Sequence, residues 1–132
     1  MHTSSDPGIR VLSAGYAFHN KPYHGKNVPR QNYLIRIQTE GLSRTWIDGQ
    51  YELLAPGDLL IIHPDAYYEL LIDEEDHQGE RKIESGDYYI FFTGSWVHQW
   101  WNERKRPFRV RTPLEEGIVQ LCRLTVVEHR RN

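Results

Sequence analysis

The chain lacks the residues on which several functional classes depend. Its 132 residues include a single cysteine, Cys122, so an internal disulfide is excluded and a reducing compartment is the default. The first residues, Met1 to Ser5, contain no apolar segment of the kind found in signal peptides. No apolar run approaches the roughly 18 residues that a membrane-spanning helix requires. These absences predict a cytoplasmic protein with no membrane partner.

A strong charge of one sign is also missing. The 16 lysine and arginine residues against 18 aspartate and glutamate residues give a net charge of −2, which provides no general attraction to nucleic acid. Because no helix-turn-helix pattern or glycine-rich loop lies near the basic cluster, we interpret it as a charged rim that offsets the acidic run at 73–76. The cluster consists of Arg104, Lys105, Arg106, Arg109 and Arg111.

The histidines do not have the spacing of a metal site. They lie at positions 2, 19, 24, 63, 77, 98 and 129, with no His-x-His pair and no shared strand at ligand spacing. His63, directly before Pro64, is interpreted as the polar end of a strand. The sequence therefore predicts no metal and no other cofactor.

Short strands separated by turns make up most of the chain. Asp48-Gly49 between two strand-like runs is a strong hairpin signal, and Pro56-Gly57-Asp58 presets a tight turn before the apolar run from Leu59 to Ile62. Many short strands in a single domain favour a β-sandwich or barrel. The predicted strands cover residues 9–18, 33–39, 44–47, 50–54, 59–62, 66–72, 83–93 and 108–111, and residues 19–30 are interpreted as a polar loop.

The strand at 33–39 alternates between two faces. Tyr33, Ile35 and Ile37 share one face and form the better core set, whereas Arg36 and Gln38 share the other. We therefore predict that Arg36 faces away from the interior. It would face into a barrel only if this assignment were reversed.

Two helices are expected after the strands. Gly94-Ser95 offers an N-cap for a short helix with Trp96, Trp100 and Trp101 near one side. Thr112 to Glu115 has the capping-box pattern that begins a second helix of about four turns. The apolar stripe predicted to pack on the strands is Leu114, Ile118, Leu121, Cys122 and Thr125, with Leu124 and Val127 forming a second patch.

Five segments, taken in order, carry a resemblance to a known family. They are Asn32–Ile35 with Gly41, Asp48-Gly49 with Tyr51–Leu53, Ala55–Pro64, Tyr89–Phe92 with Gly94, and Trp96–Asn102 followed by Pro107. Their order and spacing resemble the N-terminal effector-binding domains of AraC-family transcription regulators, which are cupin-like. The resemblance implies a mainly β protein, a double-stranded β-helix or jelly-roll barrel followed by a C-terminal α-helix. We expect a flexible arm at 1–8, the barrel at 9–111 and the helix at 112–132.

The resemblance also implies where an effector would bind. The family's effector lies inside the barrel against the strand that corresponds to Asp87–Phe92, on which Asp87, Tyr89 and Phe91 share a face. An aspartate beside aromatic rings suits a sugar, although Tyr89 and Phe91 could equally be core and Asp87 a strand-end residue.

Two further positions come from the family pattern. Tyr68 stands where metal-binding cupins have a histidine. The family places a basic residue from the loop before Tyr33 over the mouth of the pocket. The candidates for that position are Lys21, Lys26 and Arg30, of which we choose Arg30.

The expected function is ligand sensing without catalysis. A small polar effector, with a sugar as the expected class, would bind inside the barrel and control attached DNA-binding helices. The family pattern places DNA contact in a C-terminal domain absent from this chain. An arm at 1–8 that closes over the ligand and a homodimer are open alternatives. The competing functions are a stand-alone small cupin enzyme acting on a sugar and a structural module filled by aromatic rings.

Overall fold

The computed structural model describes residues 8–27, 31–77, 83–111 and 116–131, apart from the side chains of 116–119 and 131. In these residues nine strands form two antiparallel sheets, one of five strands in the order β1-β8-β3-β6-β9 and one of four in the order β2-β7-β4-β5. The strands are β1 (Arg10–His19), β2 (Tyr23–Asn27), β3 (Tyr33–Glu40), β4 (Ser43–Ile47), β5 (Gln50–Leu54), β6 (Asp58–Ile62), β7 (Tyr68–Ile72), β8 (Ser85–Thr93) and β9 (Arg109–Arg111).

The two sheets face each other across a shared core. Leu34, Leu60 and Ile62 from the five-stranded sheet pack against Ile47 and Leu54 from the other sheet. Neighbours in each sheet are often distant in sequence, such as β1 beside β8 and β2 beside β7. This arrangement confirms the predicted cupin-like, jelly-roll barrel, and the final helix confirms the rest of the fold class.

The predicted turns hold the hairpin and the β6 strand in place. Asp48 and Gly49 both have positive φ, at 51° and 89°, as a two-residue hairpin between β4 and β5 requires. Before β6, the Asp58 carboxylate accepts a hydrogen bond from the Ala55 N–H at 2.8 Å. This bond closes the turn that the sequence predicts at Pro56-Gly57-Asp58. Asp58 also accepts a hydrogen bond from Arg109 at 3.1 Å.

One strand was wrongly predicted to be part of a loop. The segment 19–30 contains β2, which pairs with β7 from Tyr23 opposite Ile72 to Asn27 opposite Tyr68. The loop prediction gave weight to Pro22, Gly25 and Pro29, but β2 lies at a sheet edge, where such residues are tolerated. This correction places the whole of β2 beside the barrel interior.

The predicted parity of β3 is also wrong. Ile35 and Ile37 pack with Cys122 and Val126 on the outer side of the five-stranded sheet, and Leu34 belongs to the core between the sheets. Arg36 lies on the same side of β3 as Leu34, so it faces the interior. Both faces of β3 are covered, and an apolar pattern therefore could not tell which face was inside.

Two helices cover the barrel. Helix α1 (Ser95–Asn102) confirms the predicted short helix, but Gly94 occupies the N-cap position without a side-chain hydrogen bond. The Gly8 carbonyl instead accepts hydrogen bonds from the Trp96 and Val97 N–H groups, at 3.1 and 3.3 Å. Val97 is the buried residue of α1, whereas Trp96 is 52% exposed and stacks with Trp100.

Helix α2 (Glu116–Arg131) packs on β1 through part of the predicted stripe. Cys122 and Val126 are buried, but Leu121 is 65% exposed and lies with Leu124 and Val127 on the exposed side. The expected capping residues Thr112 to Glu115 lie outside the described residues, as does the side chain of Ile118. None of the helices in the described part of the chain is long and apolar enough to cross a membrane.

A substitution at Gly94 tests how Gly8, which precedes β1, supports the start of α1. Its φ is +143°, and a Cβ there would lie 2.2 Å from the Gly8 carbonyl oxygen. Gly49 also has positive φ, but its Cβ would meet nothing within 4 Å. We expect Gly49→Ala to cost about 1 kcal/mol of unfolding free energy from backbone strain alone. Gly94→Ala should cost about 1 kcal/mol more, because it also displaces the carbonyl that caps α1. Urea denaturation of the two variants measures the difference, and equal losses would contradict this role for Gly8.

Hydrogen bonds to Glu69 on the outer face of the four-stranded sheet make the free energy of unfolding depend on pH. Glu69 accepts hydrogen bonds from the Tyr67 hydroxyl, His24 Nε2 and the Tyr51 hydroxyl, and these bonds lower the pKa of Glu69 to about 2. Because the folded pKa lies below the unfolded value of about 4.3, this stabilisation is present above that pH and is lost as the pH falls towards 2.

We therefore expect Glu69→Gln to flatten the acid limb of the stability curve. The free energy of unfolding, measured from pH 6 to pH 2, should fall less steeply in the variant below about pH 4.3. Tyr67→Phe should give an intermediate slope, because the Tyr67 hydroxyl makes the largest contribution to the lowered pKa. Parallel curves for all three proteins would show that Glu69 gains nothing from these bonds.

Candidate functional site

A cavity of about 310 Å³ lies between the two sheets. Strands β1, β3 and β8 form one side of it and β2 and β7 form the other. The rings of Tyr23, Tyr68, Tyr89 and Phe91 line it, together with small or aliphatic side chains. The interior is therefore not filled by aromatic side chains, and its volume is near the lower limit of about 300 to 1,000 Å³ for small-molecule sites.

The charged residue of this cavity that sequence reasoning missed is Arg36. It lines the cavity, and its Nη2 donates to Asp87 Oδ2 at 2.8 Å, with side chains 13% and 4% exposed. Burial acts to lower the pKa of Arg36, but the Asp87 carboxylate and, less strongly, the Tyr68 hydroxyl outweigh it and raise the pKa. The guanidinium is thus a permanently charged group at the edge of an apolar space.

Asp87 occupies a different place from the one expected. It holds Arg36, and it is not among the described residues that line the cavity. Its second oxygen, Oδ1, is buried and has no hydrogen-bond partner among the described groups. Asp87 therefore positions the arginine, and direct contact between Asp87 and an effector stays a prediction.

The structure places the other predicted residues of the barrel together. Tyr68, Tyr89 and Phe91 all line the cavity, and the rings of Tyr89 and Phe91 meet edge to face at 6.1 Å. The Tyr68 hydroxyl accepts a hydrogen bond from Asn27 Nδ2 at 3.4 Å. Gly15 leaves room for Tyr89, since a Cβ at that glycine would lie 2.4 Å from the Tyr89 hydroxyl. Tyr89 and Phe91 share a face of β8, as period-two alternation predicts, and Tyr68 lies at the position taken from the family pattern.

His19 lines the same cavity from β1, with its ring 4.5 Å from that of Tyr23. Lys26, one of the three loop candidates, borders the cavity on β2, but its side chain is exposed and lies on the outer face, opposite Glu69. Burial lowers the pKa of His19, with the opposing effect of Asp87 coming second. Lys21 is exposed and is not a lining residue, and Arg30 lies outside the described residues.

A larger groove of about 690 Å³ lies near the end of α1, where His63, Trp101 and Phe108 line it with every member of the basic cluster except Arg111. The cluster does not offset the acidic run at 73–76 as expected. Its described ion pairs are Arg106 with Glu103, Arg109 with Glu52 and Asp58, and Arg111 with Asp58. Within the acidic run, Asp76 pairs with Arg44. Asp58 is buried in these pairs, whereas Glu103 is exposed, and an exposed pair of that kind contributes little to stability.

Metal-ligating side chains do not converge among the described residues. In that part of the chain, no group of three or more histidine, cysteine, aspartate or glutamate side chains could hold an ion. His63 lies beside Trp101 with ring centroids 5.8 Å apart, and its Nδ1 is 3.0 Å from the Pro64 carbonyl oxygen.

Solved structures of other proteins have a similar fold. YhaK from Escherichia coli aligns with a TM-score of 0.60 and 8% identity, over 83% of this chain and 46% of that one. ToxT from Vibrio cholerae, bound to (E)-4-(8-methylnaphthalen-1-yl)but-3-enoic acid, aligns with a TM-score of 0.56 and 8% identity, over 94% of this chain and 49% of that one. The chain spans about half the length of these proteins, and at these identities the likeness shows the fold alone.

Sequence comparison assigns the family. A search of curated proteins gives no match. The family model of the AraC-like ligand binding domain matches residues 6–131, which is nearly the whole chain and includes every described strand and helix. The chain belongs to the AraC-like ligand binding domain family.

Proposed function

We propose that this chain is the effector-sensing domain of a transcription regulator and that it is not an enzyme. A small polar molecule with hydroxyl groups, a sugar being the expected class, binds in the cavity between the sheets. Its occupancy is passed to attached DNA-binding helices. Membership of a ligand-binding family supports the sensing role, and ligand-bound ToxT supports a small-molecule effector.

The observation that carries this proposal is the combination of ring faces and a fixed arginine in one cavity. Tyr89 and Phe91 offer apolar faces to the C–H groups of a ligand, while Arg36 and Tyr68 offer hydrogen-bonding groups. Asp87 holds the guanidinium before any ligand arrives, so little ordering is required on binding. A few polar groups held in a mostly apolar cavity are what recognition of a hydroxylated molecule needs.

The N-terminal arm extends this proposal. Residues 1–7 lie outside the described residues, and Gly8, which follows them, caps α1. We propose that the arm closes over the cavity when an effector is bound. Titration calorimetry with and without residues 1–7 tests this, and equal affinities would remove the arm from the mechanism. Keeping Gly8 in the shortened chain separates loss of the arm from loss of the helix cap.

Tyr68→Phe is the variant that tests the cavity directly. It removes one hydroxyl beside Arg36 while keeping the ring, so we expect sugar affinity to fall about 3- to 10-fold, as the loss of one hydrogen bond implies. Tyr51→Phe is the matched control, because Tyr51 lies on the outer face of the same four-stranded sheet, away from the cavity, and donates to Glu69. Calorimetry with pentoses and hexoses measures both.

Two outcomes would contradict the proposed function. Equal loss of affinity in Tyr68→Phe and Tyr51→Phe would place binding elsewhere than the cavity. Conversion of a bound sugar, followed by NMR of the recovered ligand, would favour the small cupin enzyme instead. The proposal expects the ligand to be recovered unchanged.

A further inference from the structure

The lining of the cavity between the sheets becomes more exposed towards β1 and β2. On β7, Tyr68 and Leu70 are buried, and on β3 the Arg36 side chain is largely buried. On β2, by contrast, Tyr23 is 43% exposed, and on β1 His19 is only partly buried. All five residues line the cavity. The side of the cavity that β1 and β2 form is therefore the side nearest to solvent.

Strands β1 and β2 are edges of the two facing sheets. In the described part of the chain, β1 pairs only with β8 and β2 pairs only with β7. Residues 20–22 alone separate His19, which ends β1, from Tyr23, which begins β2. Further along these two edges, Ala17 on β1 and Gly25 on β2 also line the cavity. An opening bordered by small side chains thus runs between the two edge strands, and we call it the edge seam.

Two aromatic rings, one from each edge strand, close one end of the edge seam. The rings of His19 and Tyr23 are 4.5 Å apart and inclined at 34°. The Tyr23 ring also lies over Gly25, because a Cβ on this glycine would be 2.4 Å from the Tyr23 hydroxyl oxygen. Among the described residues, no hydrogen bond holds the Tyr23 hydroxyl. The ring is therefore kept in place by packing and is free to turn outward.

From this geometry we infer that the effector enters through the edge seam and that the Tyr23 ring is its gate. The ring closes the seam by resting on His19 and Gly25, and it turns outward to admit or release a sugar. Association is then limited to the molecules in which the ring is turned aside. This inference rests on the proposed function and adds the route by which its site is reached.

Two variants open the gate in different ways. Tyr23→Ala removes the ring, whereas Gly25→Ala keeps it and places a Cβ where the Tyr23 hydroxyl lies, so that the ring has to move aside. Tyr67→Ala is the matched control, because Tyr67 is 44% exposed, close to the 43% of Tyr23. Tyr67 lies on the outer face of the sheet, where its hydroxyl donates to Glu69.

Stopped-flow measurements with galactose and xylose test the gate on the proposed ligands. We expect the association and dissociation rate constants both to rise about threefold or more in Tyr23→Ala and in Gly25→Ala. The dissociation constant should change less than about twofold, because the ring closes the seam whether or not the cavity is occupied. Tyr67→Ala should change none of these quantities. A rise in the dissociation rate alone would make Tyr23 a contact of the sugar and would overturn the gate.

A thiol inside the cavity tests the entrance without any sugar. Leu70→Cys places this thiol on β7 opposite Gly25, and Cys122→Ala removes the natural thiol. Alkylation by iodoacetamide should become about threefold or more faster when Tyr23→Ala is added, and should not change when Tyr67→Ala is added. The proteins are compared at the same free energy of unfolding, adjusted with urea, so that global unfolding contributes equally to each rate.

The outcomes separate the gate from the function on which it rests. Unchanged sugar kinetics in Tyr23→Ala, together with unchanged alkylation of Leu70→Cys, would overturn the gate and leave the sugar-sensing cavity standing. Faster alkylation without faster sugar exchange would place the entry of the sugar elsewhere and would also overturn the gate. Faster alkylation in a chain that binds no pentose or hexose would support the entrance and overturn the sugar as effector.

Discussion

The ion pair between Arg36 and Asp87 is the interaction on which the interior of this barrel depends. It joins β3 to β8 inside the five-stranded sheet, with both side chains largely removed from water. Removing one partner of such a pair costs about 3–5 kcal/mol, because the other charge is left buried. Burying two charges costs free energy that their mutual attraction does not always recover, so a buried ion pair is weak evidence for a purely stabilising role. The position of this pair beside a cavity gives it a binding role instead. The Tyr68 hydroxyl adds a further contact to the same arginine.

The barrel can hold this pair because its two sides are supported separately. On the inside, the sheets share an apolar core that includes Leu34, Leu60 and Ile62. On the outside, α2 covers the five-stranded sheet through Cys122 and Val126. A strand supported on both faces does not need a filled interior to remain in place. The cavity can therefore stay open beside the core.

The elements that were predicted correctly are those whose conformation is determined by residues close together in the sequence. Asp48-Gly49 requires positive φ at both positions and gave the hairpin, and the Pro56-Gly57-Asp58 turn gave β6. Alternation along β8 put Tyr89 and Phe91 on one face, and the family resemblance implied that this face lies against the effector.

What could not be predicted depended on non-local contacts. The strand β2 forms because β7 pairs with it, and the sequence of 19–30 contains no local signal for that pairing. Arg36 was placed outside because a strand with two apolar faces gives no parity signal, and only its pairing with Asp87 across β3 and β8 shows its direction. The exposed position of Leu121 on α2 was missed for the same reason, since helical spacing does not say which stripe meets the sheet.

The most direct measurement of the central claim is a crystal structure of the chain with a pentose or hexose that it binds. The account predicts the sugar between the sheets, its ring against Tyr89 and Phe91 and its hydroxyl groups within hydrogen-bond distance of Arg36 and Tyr68. Density for the ligand only in the groove beside Trp101, with the cavity between the sheets empty or filled by rearranged side chains, would contradict it.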